Sequence, residues 1–503
     1  MTILSPPPFQ NSEAEPEAAL ATRRKPRLLP DPRRVVAELF VPGEEVPESE
    51  SRAAAVIARI LALDESTVRA AYRRTLERFG ERHRDLEDVF ANHFETVGHR
   101  VERGTQVSET RQRLIGAYFT HEYSVEAAAL TNPSIVAHPD QEGLDPGELR
   151  FLMSVREIGE GHQSSIGFRT GTVSADGEVA VDEPVPFASA GRSRAPLYRR
   201  EYFEIAMDES GDDDEVFAYL RHNLPDRFTG MELEVMLSEL PSLLMSRQWT
   251  HGAVERIHWI AACRYELEFS ERSDVSERVL RPIGPTERRG MEDARFVRFV
   301  DDGGVAGYRA TYTAFDGQTT VPQLIETDDF RTFQISQLLG PAAQNKGLAL
   351  FPRLVGGVHF ALSRWDREST SIATSPNGRV WADACELHLP ALDWDLVQLG
   401  NCGSPIETAE GWLVLTHGVG PMRTYSIGAI LLDLEDPHRV IAALPEPLLV
   451  PDDVERDGYV PNVVYSCGSL RHGDTLVIPY GFSDTGIGFA TVSIEELIQR
   501  MTG

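Results

Sequence analysis

Two adjacent carboxylates near the middle of the chain are the residues best suited to acid–base chemistry. Glu292 and Asp293 lie in the segment Gly-Met-Glu-Asp-Ala-Arg (290–295), directly before the apolar run at residues 296–300. That run predicts a β-strand, in which neighbouring side chains face opposite sides. We therefore expect only one of the two carboxylates to face a substrate, where a carboxylic acid can protonate a leaving group.

The composition restricts the partners of the chain. Its 503 residues include 49 Lys and Arg against 78 Asp and Glu, a net charge of −29. This charge repels nucleic acid and anionic membranes, so we expect neither as a partner. The four cysteines are scattered and the fourteen histidines show no H-E-x-x-H pairing, so we predict no metal site and no disulfide framework. The absence of a signal sequence and of a long apolar run predicts a cytoplasmic protein.

The N-terminal part of the chain divides into two segments by composition. Residues 1–30 are rich in Pro, Glu and Ala and predict a disordered tail. Residues 31–129 predict an α-helical region, because apolar residues such as Val68, Tyr72, Leu76 and Phe79 recur at three- and four-residue steps. The charged faces of these helices fit a solvated surface, and a contact in a homo-oligomer is the alternative.

Residues 130–503 predict a mainly β domain built from a repeated unit. Similar strand openings begin at residues 132, 292, 350, 404 and 461, and most are followed by a turn and a second strand. The step from Glu292 to Phe351 is 59 residues, the next step, to Ser404, is 53, and the last, to Pro461, is 57. Steps of this length fit four-stranded blades. The spacing therefore predicts a five-bladed β-propeller. The first step, of 160 residues, is too long for one blade and predicts a helical insertion in the first blade at about 193–262. We expect that insertion to pack on the N-terminal helical region.

Several motifs of this domain resemble those of glycoside hydrolase family 130, the β-mannoside phosphorylases and β-mannosidases. The resemblance is carried by residues 290–295 together with Leu-Phe-Pro (350–352), Gly-Ser-Pro-Ile-Glu-Thr (403–408), Thr-His-Gly-Val (416–419) and Tyr-Gly-Phe-Ser-Asp (480–484). It extends over residues 130–503, apart from the insertion. The family fold is a five-bladed propeller, which agrees with the number of repeats.

The resemblance implies a substrate class and a reaction. It implies cleavage of β-mannosidic bonds in small oligosaccharides with inversion, by inorganic phosphate in phosphorylases and by water in hydrolases. Asp293 matches the family's general acid. Burial at a narrow axis can raise the pKa of such a group. No cofactor is implied, and inorganic phosphate is the co-substrate of a phosphorylase, which would release α-mannose 1-phosphate.

A phosphorylase needs cations for its phosphate rather than a second carboxylate as base. The candidate phosphate ligands are Asn345, Lys346, Arg364 and His417, which lie near predicted inner-strand ends. Arg364 fits a surface ion pair equally well, and the loop of Asn345 and Lys346 fits a solvated turn.

The candidate sugar ligands come from the openings and ends of predicted strands. They are Asn132, Ser134, Arg169, Glu292, Tyr425 and Asp484. Asp484 matches a family position that accepts hydrogen bonds from mannose hydroxyls, although an aspartate there also fits a turn cap. An aromatic residue such as Tyr425 fits the core as well as a sugar face.

Two departures from the family pattern leave other functions open. Gln398 stands where the phosphorylases tend to have a lysine, and an arginine expected before Asn345 is absent. Fewer cations weaken an anion site. An inverting β-mannosidase is therefore the first alternative, with its base among four acidic residues, Asp383, Glu386, Glu407 and Asp457. A non-catalytic carbohydrate-binding propeller is the second alternative.

Overall fold

The computed structural model describes residues 20–42, 52–210, 215–247 and 249–503. Within these ranges the chain is mainly β, with thirty strands and ten α-helices. None of the helices in these ranges is long and apolar enough to cross a membrane.

The described elements before residue 125 are three strands and a group of four α-helices. They are β1 (Thr22–Leu28), β2 (Val35–Leu39), α1 (Arg52–Leu61), α2 (Glu65–Phe79), α3 (Leu86–Val97), α4 (Glu109–Tyr118) and β3 (Thr120–Ser124). Helix α2 begins where the Asp64 side chain accepts hydrogen bonds from the amides of Ser66 and Thr67. Strands β2 and β3 pair with each other, so the predicted helical region also contains a two-stranded sheet.

A second set of elements includes the helical insertion and the strands on either side of it. The first strands are β4 (Ala129–Ala137), β5 (Leu149–Ile158), β6 (Ser164–Val173) and β7 (Val179–Val181). They are followed by β8 (Ser189–Ala190), β9 (Arg192–Arg194), β10 (Leu197–Arg199), α5 (Arg200–Glu209), α6 (Glu215–Asn223), β11 (Arg227–Thr229), α7 (Gly230–Ser238), α8 (Ser242–Met245), α9 (Thr250–Ala262), β12 (Tyr265–Glu268) and β13 (Arg278–Val279).

The remaining elements are strands in four successive groups and a final helix. The first two groups are β14 (Gly290–Val300), β15 (Ala306–Phe315), β16 (Thr320–Thr327) and β17 (Thr332–Gln337), then β18 (Lys346–Leu350), β19 (His359–Arg364), β20 (Thr370–Ser375) and β21 (Asp383–His388). The last two are β22 (Gln398–Asn401), β23 (Ile406–Glu407), β24 (Trp412–Val419), β25 (Tyr425–Leu432) and β26 (Val440–Ala443), then β27 (Val464–Tyr465), β28 (Leu470–His472), β29 (Thr475–Phe482) and β30 (Gly486–Ser493), before α10 (Ile494–Thr502).

Five antiparallel strand groups form the β part of the chain. Their orders are β4-β5-β6-β7, β14-β15-β16-β17, β18-β19-β20-β21, β22-β24-β25-β26 and β27-β29-β30-β1. The first two groups belong to one ten-stranded sheet, because β6 pairs in parallel with β14 at Gly290, and β12 and β9 continue this sheet beyond β17. The second strands predicted from the sequence lie within β5, β15, β19, β24 and β29, so these predictions are confirmed.

Each strand group packs on the next, and the fifth packs on the first. Alternation along the strands explains this arrangement, because successive side chains enter different cores. In β24, Trp412 and Val414 lie in the core shared with the third group, whereas Leu413 and Leu415 lie in the core shared with the fifth. Three further apolar cores join the first group to the second, the second to the third and the fifth to the first.

The predicted N-terminal tail contains a strand. Residues 1–19 lie outside the described residues, but β1 pairs with β30 and forms the edge of the fifth group. The prediction of disorder is therefore wrong for residues 22–28. The composition of the segment does not predict this strand, because the strand pairs through its backbone and because the acidic partners of its arginines lie elsewhere in the chain. Arg23 donates to both carboxylate oxygens of the buried Glu455, at 3.2 and 2.8 Å.

The two helical groups have separate apolar cores. One core lies among α1 to α4, and the other lies among α5 to α9. The insertion contacts the second and third strand groups instead. The amide of Gly340, after β17, donates to Glu209, and Arg379, between β20 and β21, lies over the ring of Tyr202. The expected packing of the insertion on the N-terminal helices is therefore not what the structure has. The five helices of the insertion bury much of their apolar surface against one another.

We predict that Arg23→Ala lowers the free energy of unfolding by about 2 kcal/mol, because it leaves the buried Glu455 with a weaker set of partners. The matched control is Arg33→Ala, which removes an exposed arginine whose ion-pair partner among the described residues is the nearby Asp31, and it should leave the free energy of unfolding almost unchanged. Urea unfolding followed by circular dichroism measures both values. Equal losses in the two variants would contradict the role assigned to the Arg23 ion pair.

Candidate active site

A β-bulge in β14 brings both carboxylates of the Glu-Asp pair to the same place. The register of β14 against β15 shifts between Glu292 and Arg295, and Asp293 has a positive φ of 55°. This breaks the alternation of side chains along the strand. As a result, Arg156 contacts Glu292 at 2.6 Å and Asp293 at 3.6 Å. The expectation that the two carboxylates face opposite ways is therefore wrong.

The same irregularity occurs in two other inner strands. In β4 the register shifts between Thr131 and Ser134, and Asn132 has a φ of 48°. In β18 the shift follows Lys346 and includes Gly347, whose φ of 89° is readily adopted only by glycine. These bulges lie at equivalent openings of three strand groups, and each turns a polar side chain towards Glu292 or Asp293.

Five residues from four strands make up what we call the acid cluster: Asn132, Arg156, Glu292, Asp293 and Lys346. The side-chain amide of Asn132 donates to Oδ1 of Asp293. Glu292 is held from both sides, by Arg156 and by Nζ of Lys346 at 2.8 Å. Both carboxylates are buried, so their charges are compensated mainly by the protein.

The charges of the cluster keep Asp293 ionised in the free protein. Burial alone would favour the neutral acid. The positive charges of Arg156, then Arg295 and Lys346, outweigh burial and lower the pKa of Asp293 to about 2. The sequence led us to expect a raised pKa. That expectation considered burial without the cations.

Arg156 is the main member of the cluster that the sequence analysis missed. It lies on β5 opposite Thr131, at the end of the apolar run at residues 151–155. An arginine at the end of a buried strand indicates a buried ion pair, because such a charge needs a partner of opposite charge. Its partner Glu292 is 136 residues away in the sequence, which hides the pair from local inspection.

Arg295 extends from β14 to two other strand groups. Its Nε donates to the carbonyl of Cys402 at 2.8 Å, and its Nη2 donates to the hydroxyl of Tyr465 at 2.9 Å. A third hydrogen bond, from Nη1 to the carbonyl of Asp293, fixes the backbone at the bulge. The side chain is almost fully buried.

Arg364 and His417 form a second polar group beside the acid cluster. Arg364 lies opposite Lys346 in the pairing of β18 and β19, and its Nη1 donates to Nε2 of His417 at 3.0 Å. Because arginine only donates, Nε2 accepts and the histidine proton lies on Nδ1. Burial, followed by the charges of Arg364 and Arg295, lowers the pKa of His417 well below its usual range, so His417 is neutral.

No carboxylate pairs with Arg364 among the residues that the structure describes. Its side chain passes close to two glycines, and a Cβ at Gly400 would lie 2.4 Å from its Cδ. Gln398 contributes an amide 3.2 Å from Nε2 of His417. Arg364 is partly buried, and a cation whose hydrogen-bond partner is neutral is suited to binding an anion.

The remaining candidate phosphate ligand, Asn345, has a different environment. Its side chain donates to the carbonyl of Trp365 and accepts from Nε of Arg367 at 2.9 Å. These bonds stabilise the turn before β18, in which Asn345 has a positive φ of 62°. The structure therefore places Lys346 in the acid cluster and uses the Asn345 side chain in the turn.

Two of the candidate sugar ligands lie beside the acid cluster and the Arg364–His417 pair. Burial raises the pKa of Asp484, which lies near enough to Arg156 and Asp293 to interact with both charges. The ring of Tyr425 stacks on His417, with centroids 6.1 Å apart and planes inclined by 12°. Tyr425 is only partly buried and thus offers an aromatic surface next to this pair.

The structure assigns other contacts to Ser134 and Arg169. The hydroxyl of Ser134 accepts from the amide of Phe296 at 3.0 Å and joins β4 to β14. Arg169 lies in a separate buried ion network in which Glu126 receives hydrogen bonds from it and ion-pairs with Arg34, at 2.8 Å. Neither residue contacts the acid cluster, and the sugar-binding predictions for both are therefore unsupported.

Among the described residues, the four acidic residues considered as a hydrolytic base make no hydrogen bond or ion pair with the acid cluster. Glu407 makes a two-pronged ion pair with Arg353, at 2.6 and 2.9 Å. Asp383 and Glu386 are exposed on the outer strand β21, and Asp457 is exposed in a loop. In the described ranges, no group of His, Cys, Asp and Glu is arranged to hold a metal ion.

Comparison with known proteins gives consistent relatives. The family profile described as beta-1,4-mannooligosaccharide phosphorylase matches residues 270–502. The beta-1,2-mannobiose phosphorylase of Listeria innocua is 32% identical over 231 residues, which are 44% of this chain and 63% of that enzyme, just under two thirds of its length. The 1,2-beta-oligomannan phosphorylase of Thermoanaerobacter sp. is 35% identical over 219 residues, 42% of this chain and 71% of that enzyme.

A solved structure is also similar. It is the Listeria innocua beta-1,2-mannobiose phosphorylase in complex with beta-1,2-mannobiose, with a TM-score of 0.45 and 22% sequence identity. The match covers 74% of this chain and 92% of that chain. The family profile includes Glu292, Asp293, Lys346, Arg364 and His417, whereas Asn132 and Arg156 precede it.

We predict that Asp293→Asn lowers the free energy of unfolding by about 2 kcal/mol at pH 7, because its carboxylate compensates buried cations. A depressed carboxyl pKa adds stability that is fully present above the unfolded-state pKa near 4. This stability is lost as the pH falls towards 2. The difference between variant and wild type should therefore shrink between pH 4 and pH 2, measured by urea unfolding at each pH. A constant difference over this range would contradict the assignment.

Proposed function

Because the chain belongs to glycoside hydrolase family 130, we propose that it is an inverting β-mannoside phosphorylase. It cleaves β-mannosyl linkages of small oligosaccharides with inorganic phosphate and releases α-mannose 1-phosphate. The observation that carries this proposal is the pairing of one buried acid, Asp293, with a neighbouring cation, Arg364, that has no carboxylate partner among the described residues.

The arrangement of charges favours phosphate over water as the nucleophile. Phosphate arrives as an anion and needs no general base, whereas water in an inverting hydrolase needs a second carboxylate about 6.5–9.5 Å from the acid. Arg364 and Lys346 supply positive charge on neighbouring strands, β19 and β18. His417 accepts a hydrogen bond from Arg364 at Nε2 and so helps to orient the guanidinium group.

Asp293 needs a proton before it can act as the general acid. In the free protein the cations keep it ionised, as its lowered pKa indicates. A bound phosphate dianion offsets the charges of Lys346 and Arg364, and a bound sugar excludes water from the cluster. Both changes raise the pKa of Asp293 and favour the neutral acid. Protonation of the acid is in this way coupled to filling of the site.

The sugar is held by residues that surround the acid. Asn132 and Glu292 are part of the acid cluster, and Asp484 lies near Arg156. These amide and carboxylate groups suit the hydroxyls of a mannose ring, and Tyr425 offers its ring face. Asn132 also orients Asp293, so its contribution combines positioning of the acid with recognition of the sugar.

We also propose that residues 130–503 form a five-bladed propeller and are the catalytic domain. Five groups of four or more strands that pack in a closed order support this proposal, and β1, which precedes this range, is the outer strand of the fifth group. The acid cluster then lies at one end of the central axis. The helical groups at residues 31–129 and about 193–262 are accessory to it, and an oligomer contact through them stays a prediction.

The second candidate function is an inverting β-mannosidase of the same fold. The observation that favours it is Gln398, a neutral side chain beside His417 where the phosphorylases tend to have a lysine. A missing cation weakens the phosphate site. Against it stand the positions of Asp383, Glu386 and Glu407, which are exposed or paired outside the acid cluster.

We predict that β-mannobiose is cleaved only when phosphate is present, with mannose 1-phosphate among the products. A panel of 1,2-, 1,3- and 1,4-linked mannobioses, incubated with and without phosphate and separated by chromatography, measures this and identifies the linkage. Release of free mannose at an unchanged rate without phosphate would replace the phosphorylase by the mannosidase. Binding of mannobiose without turnover in either condition would favour the non-catalytic alternative.

In the same assay, Asp293→Asn should lower kcat about a thousandfold, because an amide cannot donate the proton that the leaving oxygen needs. The matched control is Asp226→Asn, which changes an exposed aspartate within the helical insertion, between α6 and β11. It should leave kcat unchanged. Substantial turnover by a folded Asp293→Asn variant would rule out Asp293 as the acid.

We predict that Arg364→Ala raises the KM for phosphate about tenfold and changes the KM for mannobiose little, because it removes a charge from the phosphate side of the site. Arg364→Lys keeps the charge and should recover part of the loss. Initial rates measured while each substrate is varied separate the two constants. An effect confined to mannobiose would show that Arg364 serves the sugar instead.

A further inference from the structure

A second cavity, of about 350 Å³, lies further along the same inner strands. It is lined by residues 135–137, 296–298, 300, 352–353, 404–407 and 468–471, and we call it the far cavity. Two of these ranges begin three residues after Asn132 and Asp293, the polar residues at the bulges. All five strand groups described above contribute to its wall, so it lies on their shared axis, away from the acid cluster.

A layer of hydrogen bonds separates the far cavity from the acid cluster. Along β14, Arg295 stands between Asp293 and the first cavity residue, Phe296, and extends to the carbonyl of Cys402. At the same level, Ser134 accepts from the amide of Phe296, and the amide of Cys467 donates to the carbonyl of Pro133 at 2.8 Å. A ligand in the far cavity therefore contacts a different set of residues from the substrate.

The wall of the far cavity is apolar and its mouth is cationic. The wall includes Ile135, Phe296, Pro352, Ile406 and Leu470. Such a wall has few partners for the hydroxyls of a sugar, but it favours an apolar ligand.

The mouth carries an excess of positive charge. Glu407 is its one acidic residue, and Arg353 neutralises it. Arg298 is exposed, and Arg471 donates only to the carbonyls of Gly473 and Glu407. Neither of these two arginines has a carboxylate partner within the described part of the chain. In a protein with a net charge of −29, two such cations at one opening select an anion.

We propose that the far cavity is a second ligand site, for a small anion with an apolar body, of which a medium-chain monocarboxylate is the simplest example. The apolar chain enters the cavity, and the carboxylate lies at the mouth beside Arg298 and Arg471. This site is independent of the proposed reaction, because it shares no residue with the acid cluster or the Arg364–His417 pair.

Isothermal titration calorimetry with butanoate, hexanoate and octanoate tests the proposal on the full chain. We expect one molecule bound per chain and an affinity that rises about fourfold for each methylene buried. Hexanol, which lacks the charge, should bind about tenfold more weakly than hexanoate. Saturating phosphate should leave hexanoate binding unchanged. Competition by phosphate would place the carboxylate at Lys346 and Arg364 and would overturn the proposal.

Three variants locate the binding of hexanoate. Ile406→Trp fills the cavity and should abolish it, and Arg471→Ala should weaken it about tenfold. The control Arg272→Ala removes an exposed arginine that does not line the cavity and should have no effect. If Ile406→Trp does not fold, the double variant Arg298→Ala, Arg471→Ala takes its place. Binding that is equal in wild type and in the folded variants, or no binding by wild type, would overturn the proposal.

Discussion

A buried arginine that crosses between strand groups sets the geometry on which the site depends. Arg295 cannot lose its charge, so its removal from water has to be compensated by hydrogen bonds. It finds them at Cys402, at Tyr465 and at the backbone of Asp293. These partners come from separate strand groups, and they have to lie at hydrogen-bond distance from one guanidinium group. This requirement therefore sets the distance between the strand groups at their centre. It also stabilises the β-bulge that contains Asp293.

The same electrostatic constraint explains the character of the acid cluster. Glu292 and Asp293 are adjacent, buried and both in contact with Arg156, so their repulsion is tolerable only with cations around them. Arg156, Lys346 and Arg295 supply that compensation, and they also stabilise the ionised form of Asp293. The charges that stabilise the free protein thus oppose the protonated state that acid catalysis requires. In the reaction proposed above, an incoming phosphate would relieve this opposition and would thereby help to protonate Asp293.

Local sequence patterns predicted the elements of the β part well and the site only in part. The run at residues 359–364 is β19 because its apolar residues alternate between two cores. The same alternation wrongly predicted that Glu292 and Asp293 face opposite sides of the strand. A β-bulge depends on the neighbouring strands and cannot be recognised in one segment alone. Arg156 was missed for a similar reason, since its partner is distant in the sequence. Ser134 and Arg169 were placed in the site by position, but the structure uses their polar atoms to join β4 to β14 and to neutralise Glu126.

The pairing of β1 with β30 has a consequence for biosynthesis. Residues 22–28 are synthesised before every other strand described above, and their partner strand, residues 486–493, is synthesised after every other one. The contact spans almost the whole chain, which makes it entropically costly to form early. During translation β1 therefore stays without its partner strand until β30 has been made. Closure of the ring is then a late event in folding, and a chain interrupted before β30 leaves open edges that invite association with other chains.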